Sequence, residues 1–166
     1  MNTKAYLCCL LSLLVLVSAG MKKEQASRYH CENGKVQLKS DASLELIKAS
    51  SNKLRGLIDI ESQTFAWSVE MRSFEGFNSP LQREHFNENY LESDRYPKAS
   101  FSGKIIEKVD FTQPGVQSVR AKGKFSIHGI EQERIIKSQI EIKDGKIYVS
   151  SVFTVPIADH TSPFPK

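Results

Sequence analysis

The feature that most restricts this chain is a strict alternation of apolar and polar side chains that recurs along much of its length. Val119, Ala121, Gly123, Phe125 and Ile127 alternate with Arg120, Lys122, Lys124, Ser126 and His128. Downstream, Ile136, Ser138, Ile140 and Ile142 alternate with Lys137, Gln139, Glu141 and Lys143. After Asp144-Gly145 the series resumes as Ile147, Val149, Ser151, Phe153 and Val155. A period of two sends successive side chains to opposite faces, so these runs are strands with one apolar and one wet face. Asp-Gly between two such runs predicts a tight hairpin, because both central residues of its turn need positive φ. His128-Gly129 ends the first run and is expected to turn the chain as well.

The same pattern fills the first half. Leu54, Gly56, Ile58 and Ile60 alternate with Lys53, Arg55, Leu57 and Asp59, and Phe65, Trp67, Val69 and Met71 alternate with Ala66, Ser68, Glu70 and Arg72. Phe101, Gly103 and Ile105 mark a further strand, with Ile106 falling on the opposite face, and Val36 and Leu38 mark a first one. The total is about seven strands, the spacing of an all-β sandwich or barrel. Residues 81–93 (LQREHFNENYLES) break the pattern: they are polar, and Phe86 and Tyr90 stand four apart, which predicts a short helix with both rings on one face. Ser79-Pro80 supplies a cap and a first helical residue, and Tyr96-Pro97 returns the chain to extended geometry. Asp41 to Ser51 fits either a helical turn or a loop.

Seven antiparallel strands with one long connection point to a barrel, because closure removes exposed edges. An outer-membrane barrel would need an uncharged lipid-facing surface. Here the polar faces carry Arg55, Arg72, Lys122, Lys124, Lys137 and Lys143, which suit water. The expected barrel is soluble, and small barrels of this strand number can hold one small ligand inside.

The N-terminus reads as an address. Lys4 precedes the mostly apolar run Ala5–Val17, and small residues follow at Ser18, Ala19 and Gly20. This is the three-part pattern of a secretory signal peptide, expected to be cleaved after residue 19 and to leave 20–166 as one domain. The run is too short for a spanning helix, so no transmembrane span is expected after cleavage; an uncleaved anchor is the competing reading. Cys31 would then be the one cysteine left, so the fold must rest on a hydrophobic core without an internal disulfide.

Chemistry is sparse. Lys and Arg number 23 against 19 Asp and Glu, a net charge of +4, and no three basic residues are consecutive. That is not the footprint of a nucleic-acid binder. No nucleophile elbow, zinc-protease, Cys-x-x-Cys or phosphate-loop motif occurs, so no catalytic residue, metal or cofactor is expected. Glu84, His85 and Glu88 could meet on the short helix, but a metal needs three or four converging ligands. Asp159-His160 has no nucleophile motif to accompany it. The apolar faces remain: Phe65, Trp67, Phe101, Phe125 and Phe153, joined by Val69, Ile105, Ala121, Ile127, Ile140, Ile142 and Val149. Periodicity alone leaves open whether they fill a core or line a cavity. Gly56, Gly103, Gly123 and Ala121 on the same faces are expected to leave volume beside the rings.

Two blocks carry a resemblance. The segment from His85-Phe86 through Tyr96-Pro97 to Phe101-Ser102-Gly103, followed by Gly123-Lys124-Phe125-Ser126-Ile127-His128-Gly129-Ile130, resembles the bacterial YceI-like family from about Gly34 to His160. The resemblance implies a lipocalin-like antiparallel barrel in the periplasm (or secreted) that binds a polyisoprenoid or other long-chain lipid, with the apolar-face residues named above as its lining. It also implies a last strand beyond Asp159-His160, where this sequence has Pro163 and Pro165, poor strand material. The expected barrel therefore lacks material for its final strand, and a gap, a second copy or a partner chain is expected at that edge. The alternative is a solid-core interaction module using the open edge.

Overall fold

The computed structural model describes residues 27–42 and 45–156. The signal-like segment 1–19, Asp159-His160 and the two late prolines lie outside the described residues. Among the described residues seven strands are formed: β1 Arg28–Ala42, β2 Glu45–Asp59, β3 Thr64–Glu70, β4 Lys98–Ile105, β5 Gly115–Ile127, β6 Ile130–Lys143 and β7 Lys146–Ser151, with one α-helix, α1 Pro80–His85, between β3 and β4. Each strand pairs antiparallel with its sequence neighbour, so spatial order follows chain order. The sheet curls into a nearly closed barrel. Among the described residues, β1 and β7 are its two edges.

The turns form where the sequence supplies the right residues. Asp144 and Gly145 have φ of 51° and 70°, and His128 and Gly129 have 52° and 72°, so both hairpins use two residues at positive φ. Between β2 and β3 the Asp59 carboxylate accepts the amide N–H groups of Glu61 at 3.1 Å and Ser62 at 3.0 Å, a side chain standing in for a backbone turn.

Three expectations are corrected. Residues 45–51 are strand, not helix or loop: Ile47 and Ala49 lie opposite Ser40 and Leu38 of β1, and the hairpin partner settles a local pattern that was ambiguous. The helix is short. Ser79 caps it by accepting the Gln82 amide at 3.1 Å, but after His85 the chain widens into one π-helical turn, Phe86–Tyr90, closed by the Leu91 N–H on the Phe86 carbonyl. An i-to-i+5 turn takes residues four apart off a common face: Phe86 is buried, whereas Tyr90 is 48% exposed. Finally, β7 stops at Ser151, so Phe153 and Val155 continue the alternation beyond the paired strand.

The inner face holds two hydrophobic clusters, one toward each end. The first joins Ile58, Phe65, Ile105, Val109, Val119, Ala121, Ile140 and Ile142, with Phe111 of the 106–114 connection folded against it. The second joins Ala49, Val69, Met71, Phe74 and Ala99, flanked by Phe77 and Leu91 of the long connection. Phe86 anchors α1 there, its ring centroid 5.0 Å from that of Phe77 and 6.4 Å from that of Phe74. Each such fully buried side chain contributes about 1.5–3 kcal/mol.

Surface carboxylates tie the connections down. Glu107 accepts the backbone N–H and the Nε–H of Arg120, each at 2.6 Å. These bonds, the backbone one first, hold its carboxyl below the ordinary 4.5. The Thr112 hydroxyl and amide do the same for Asp110, and the Ser62 amide followed by Arg28 for Asp59, both below the ordinary 3.8. Carboxylates lowered in the folded state stabilise it above the unfolded pKa, and that contribution is lost as pH falls through the folded value. Urea midpoints are therefore expected to drop as pH falls below about 4.5, the ordinary Glu value. Glu107→Gln is expected to lower the midpoint at neutral pH and flatten that dependence.

Candidate functional site

Residues directly opposite in antiparallel strands share a face, so the register draws the inner surface as rows. One row runs Cys31, Gly56, Trp67, Phe101, Phe125, Gln132 from β1 to β6. The neighbouring row runs Tyr29, Ile58, Phe65, Gly103, Gly123, Arg134. Together they form the waist of the inner face: Ile58 and Phe65 of the second row belong to the first cluster, and Tyr29, Trp67 and Phe101 pack against it. Four rings make a chain across it: Phe65 to Phe101 at 4.9 Å between centroids, Phe101 to Phe125 at 6.4 Å and Phe125 to Phe153 at 5.7 Å. The last step leaves the sheet, because Phe153 lies beyond the end of β7 yet rests edge-on against a residue of β5.

The residues named from the sequence distribute unevenly. Phe65, Val69, Ile105, Ala121, Phe125, Ile140 and Ile142 are buried, while Trp67, Phe101 and Ile127 are half-buried. Val149 and Phe153, on the edge strand and just past it, are 39% and 44% exposed. Ile105, Ala121, Ile140 and Ile142 pack in the first cluster with Phe65; Val69 belongs to the second, with Ile127 against it. Trp67 and Phe101 pack against the first cluster.

The glycines do not leave volume as expected. A Cβ at Gly56 would overlap the Trp67 indole, whose Cδ2 would be 2.8 Å away. Gly103 and Gly123 face each other across β4 and β5, and a Cβ on either would overlap the neighbouring strand's carbonyl oxygen. The missing side chains are filled by an indole and by backbone, so these glycines permit close approach instead of a void.

Two inner residues had not been singled out, Gln132 and Arg134. The Arg134 Nη2 donates to Gln132 Oε1 at 2.8 Å, and the Arg134 Nε is closed off from solvent. Extending the β6 alternation upstream from Ile136 would have found both. Also on the inner face, the Ser138 and Ser151 hydroxyls lie 2.7 Å apart where β6 meets β7.

Glu84 and His85 are exposed on α1 and Glu88 is exposed on the π-helical turn after it, and among the described residues no three His, Cys, Asp or Glu gather in a metal-binding group. Beside α1 lies an open cleft of about 750 Å³, lined by Arg72, Arg83, Glu75, Glu84 and Glu88 with Phe77. Its charges are mixed, and Arg72 is held by Asp94 at 2.6 Å. No helix among the described residues is long and apolar enough to cross a membrane.

The conspicuous sequence blocks act as fasteners. The Tyr96 ring meets His128 edge-on at 4.8 Å and lies where a Cβ on Gly129 would be, its Cζ 2.9 Å from that position. His128 Nε2 is 3.2 Å from Glu92 Oε2, and the Pro97 carbonyl accepts the Met71 amide at 2.9 Å. The Tyr-Pro block is thus pinned to the His-Gly turn, clamping the long connection over the second cluster.

The family model for the YceI-like domain matches residues 31–162. The chain belongs to the YceI-like domain family. Among solved structures, the YceI-like domain here is similar to a polyisoprenoid binding domain from Saccharophagus degradans implicated in plant cell wall breakdown. The two are 13% identical over 82% of this chain and 81% of that one, with a TM-score of 0.65. It is also similar to BcnA of Burkholderia cenocepacia, at 9% identity over 79% and 70% of the chains and a TM-score of 0.50. At such identities the likeness is one of fold. No curated protein matches the chain in sequence. In this YceI-like domain the waist, with its aromatic row and its two polar residues, is the candidate site.

Proposed function

We propose that this domain is an exported, non-enzymatic binding protein that holds a polyisoprenoid or similar amphiphilic lipid along the waist of its barrel, in the periplasm. The observation that carries the reading is the chain of rings: it begins in the buried Phe65, passes Phe101 and Phe125, and reaches the surface at Phe153 just past β7. A hydrocarbon chain could follow it from solvent inward. The polyisoprenoid named for the Saccharophagus degradans domain supports the ligand class, and the signal-like N-terminus supports export. Burial of a chain contributes about 0.8 kcal/mol per methylene, so ten methylenes supply about 8 kcal/mol before association costs.

The test is extraction of purified protein with organic solvent and mass spectrometry, paired with the fluorescence of Trp67, the single tryptophan. A co-purifying prenyl or acyl lipid and saturable quenching by added geranylgeraniol are expected. Absence of both results would overturn the reading. A second reading is contact with another copy or chain along β7, favoured by the exposed Tyr148, Val149 and Val152 (51%, 39% and 97%). A strictly monomeric mass by light scattering, unchanged on Tyr148→Lys, would remove self-association.

A further inference from the structure

The outer face of the barrel carries charge where folding alone disfavours it. Opposite charges facing each other across paired strands stabilise a sheet, and like charges there destabilise it. Lys124↔Glu133 follows that rule; the next two rows do not. In one, Lys104 stands opposite Lys122, which stands opposite Ile135. In the other, Arg120 stands opposite Lys137, and Ile106 is joined to Arg120 by its N–H on the Arg120 carbonyl at 2.9 Å. Four cations and two isoleucines thus share adjoining rows across β4, β5 and β6, a patch of about 10 by 7 Å. Single like-charge pairs also occur at Lys39↔Lys48 and Lys143↔Lys146, but here two adjoin, and β4 is the middle strand of the seven.

Carboxylates answer half of that charge. Arg120 bonds Glu107 at 2.6 Å and Lys122 meets Glu133 at 3.1 Å. Lys104 and Lys137, one in each row, are in no ion pair among the described residues. Ile106 and Ile135 stand among these cations 45% and 57% exposed. Beside them a shallow groove of about 670 Å³ is lined by Lys104, Lys122 and Lys124, with Glu133 as its one carboxylate.

We propose that this face docks on an anionic lipid membrane, its lysines on headgroup phosphates and its two isoleucines at headgroup depth. The inference concerns the outer face and does not rest on the lipid-holding reading. Charge complementarity carries it: a layer of lipid phosphates relieves the repulsion within both rows at once, and each cation near such a surface adds attraction. Lysine stems lie along apolar surface while their heads reach the charge, and mixed aliphatic and cationic faces suit the bilayer interface. A protein partner would be anchored by an aromatic ring or a free arginine; these rows hold no ring, and their arginine is taken by Glu107.

The experiment sediments the purified full chain with vesicles of equal parts phosphatidylglycerol and phosphatidylcholine, and with vesicles of phosphatidylcholine alone. Any contact made by the uncharged run at residues 5–17 is common to both vesicles, so the difference reads the cationic face. The wild type is expected to partition at least about tenfold more strongly onto the anionic vesicles, and to lose that preference in high salt. Lys104→Gln with Lys137→Gln breaks no ion pair of the fold and is expected to weaken anionic binding about 25-fold, about fivefold per lysine. The control Lys35→Gln with Lys53→Gln, on β1 and β2, makes the same change in net charge and is expected to weaken it less than about threefold. Ile106→Ser with Ile135→Ser is expected to weaken binding while leaving its salt dependence unchanged. Equal affinity for both vesicles, or an equal loss in the control pair, would overturn the assignment of this face. Soluble polyglutamate that binds as tightly as the anionic vesicles would mean an acidic protein partner and would overturn it too. The solvent-extraction and geranylgeraniol results stand or fall separately from each of these outcomes.

Discussion

Gly123→Ala is expected to lower stability by on the order of 3 kcal/mol, at the upper end of what overpacking costs, and Tm by roughly 6–12 °C. A Cβ at this position would overlap the Ser102 carbonyl oxygen and come within 2.9 Å of Gly103 Cα. Neither obstacle is the far end of a flexible side chain, so relief requires β4 and β5 to move apart at the centre of the sheet. The outward-facing neighbour provides the control: Ser102→Ala is expected to change stability by less than about 0.5 kcal/mol. Urea unfolding of the two variants decides the matter. A Gly123→Ala protein as stable as the wild type would mean that the strands are not in contact there.

That glycine pair also marks where sequence reasoning reaches its limit. Alternation is local information, and it was enough for the core of most strands and for the Asp144-Gly145 and His128-Gly129 turns, but not for residues 45–51, which only the pairing with β1 fixes as strand. What a glycine does on an inner face depends on the strand opposite, which periodicity does not see. Gly56, Gly103 and Gly123 read as free volume, yet Trp67 and the facing backbone occupy that space. Similarly, the spacing of Phe86 and Tyr90 assumes 3.6 residues per turn, and the one π-helical turn separates them. The polar half of the site was legible but overlooked: Ile130, Gln132, Arg134 and Ile136 continue the β6 period, and a charge within that period is visible once the run is followed upstream. The contact between Phe153 and Phe125 was not legible, because it forms after the chain has left β7.

Phe125 and Phe153 touch each other, yet their truncations are expected to have opposite signatures. Phe125 is buried and pairs with Phe101 on one side and Phe153 on the other. Phe125→Ala removes a ring from a site whose backbone is fixed by pairing on both sides, so collapse around the cavity is limited. A loss of about 3–5 kcal/mol is expected. Phe153 is 44% exposed and lies outside the paired strands, so Phe153→Ala is expected to cost about 1 kcal/mol or less, the worth of one aromatic pair. On the lipid-binding reading the order reverses in a titration, since Phe153 is where a chain entering along the row is first met. Phe153→Ala is expected to weaken geranylgeraniol binding by about tenfold, or about 1.4 kcal/mol, with the folded baseline intact. Denaturant midpoints and Trp67 titrations on the same preparations separate the two effects. Unchanged affinity in Phe153→Ala would mean that the row ends at Phe125 as ordinary core, and the entry path would have to lie elsewhere on the barrel.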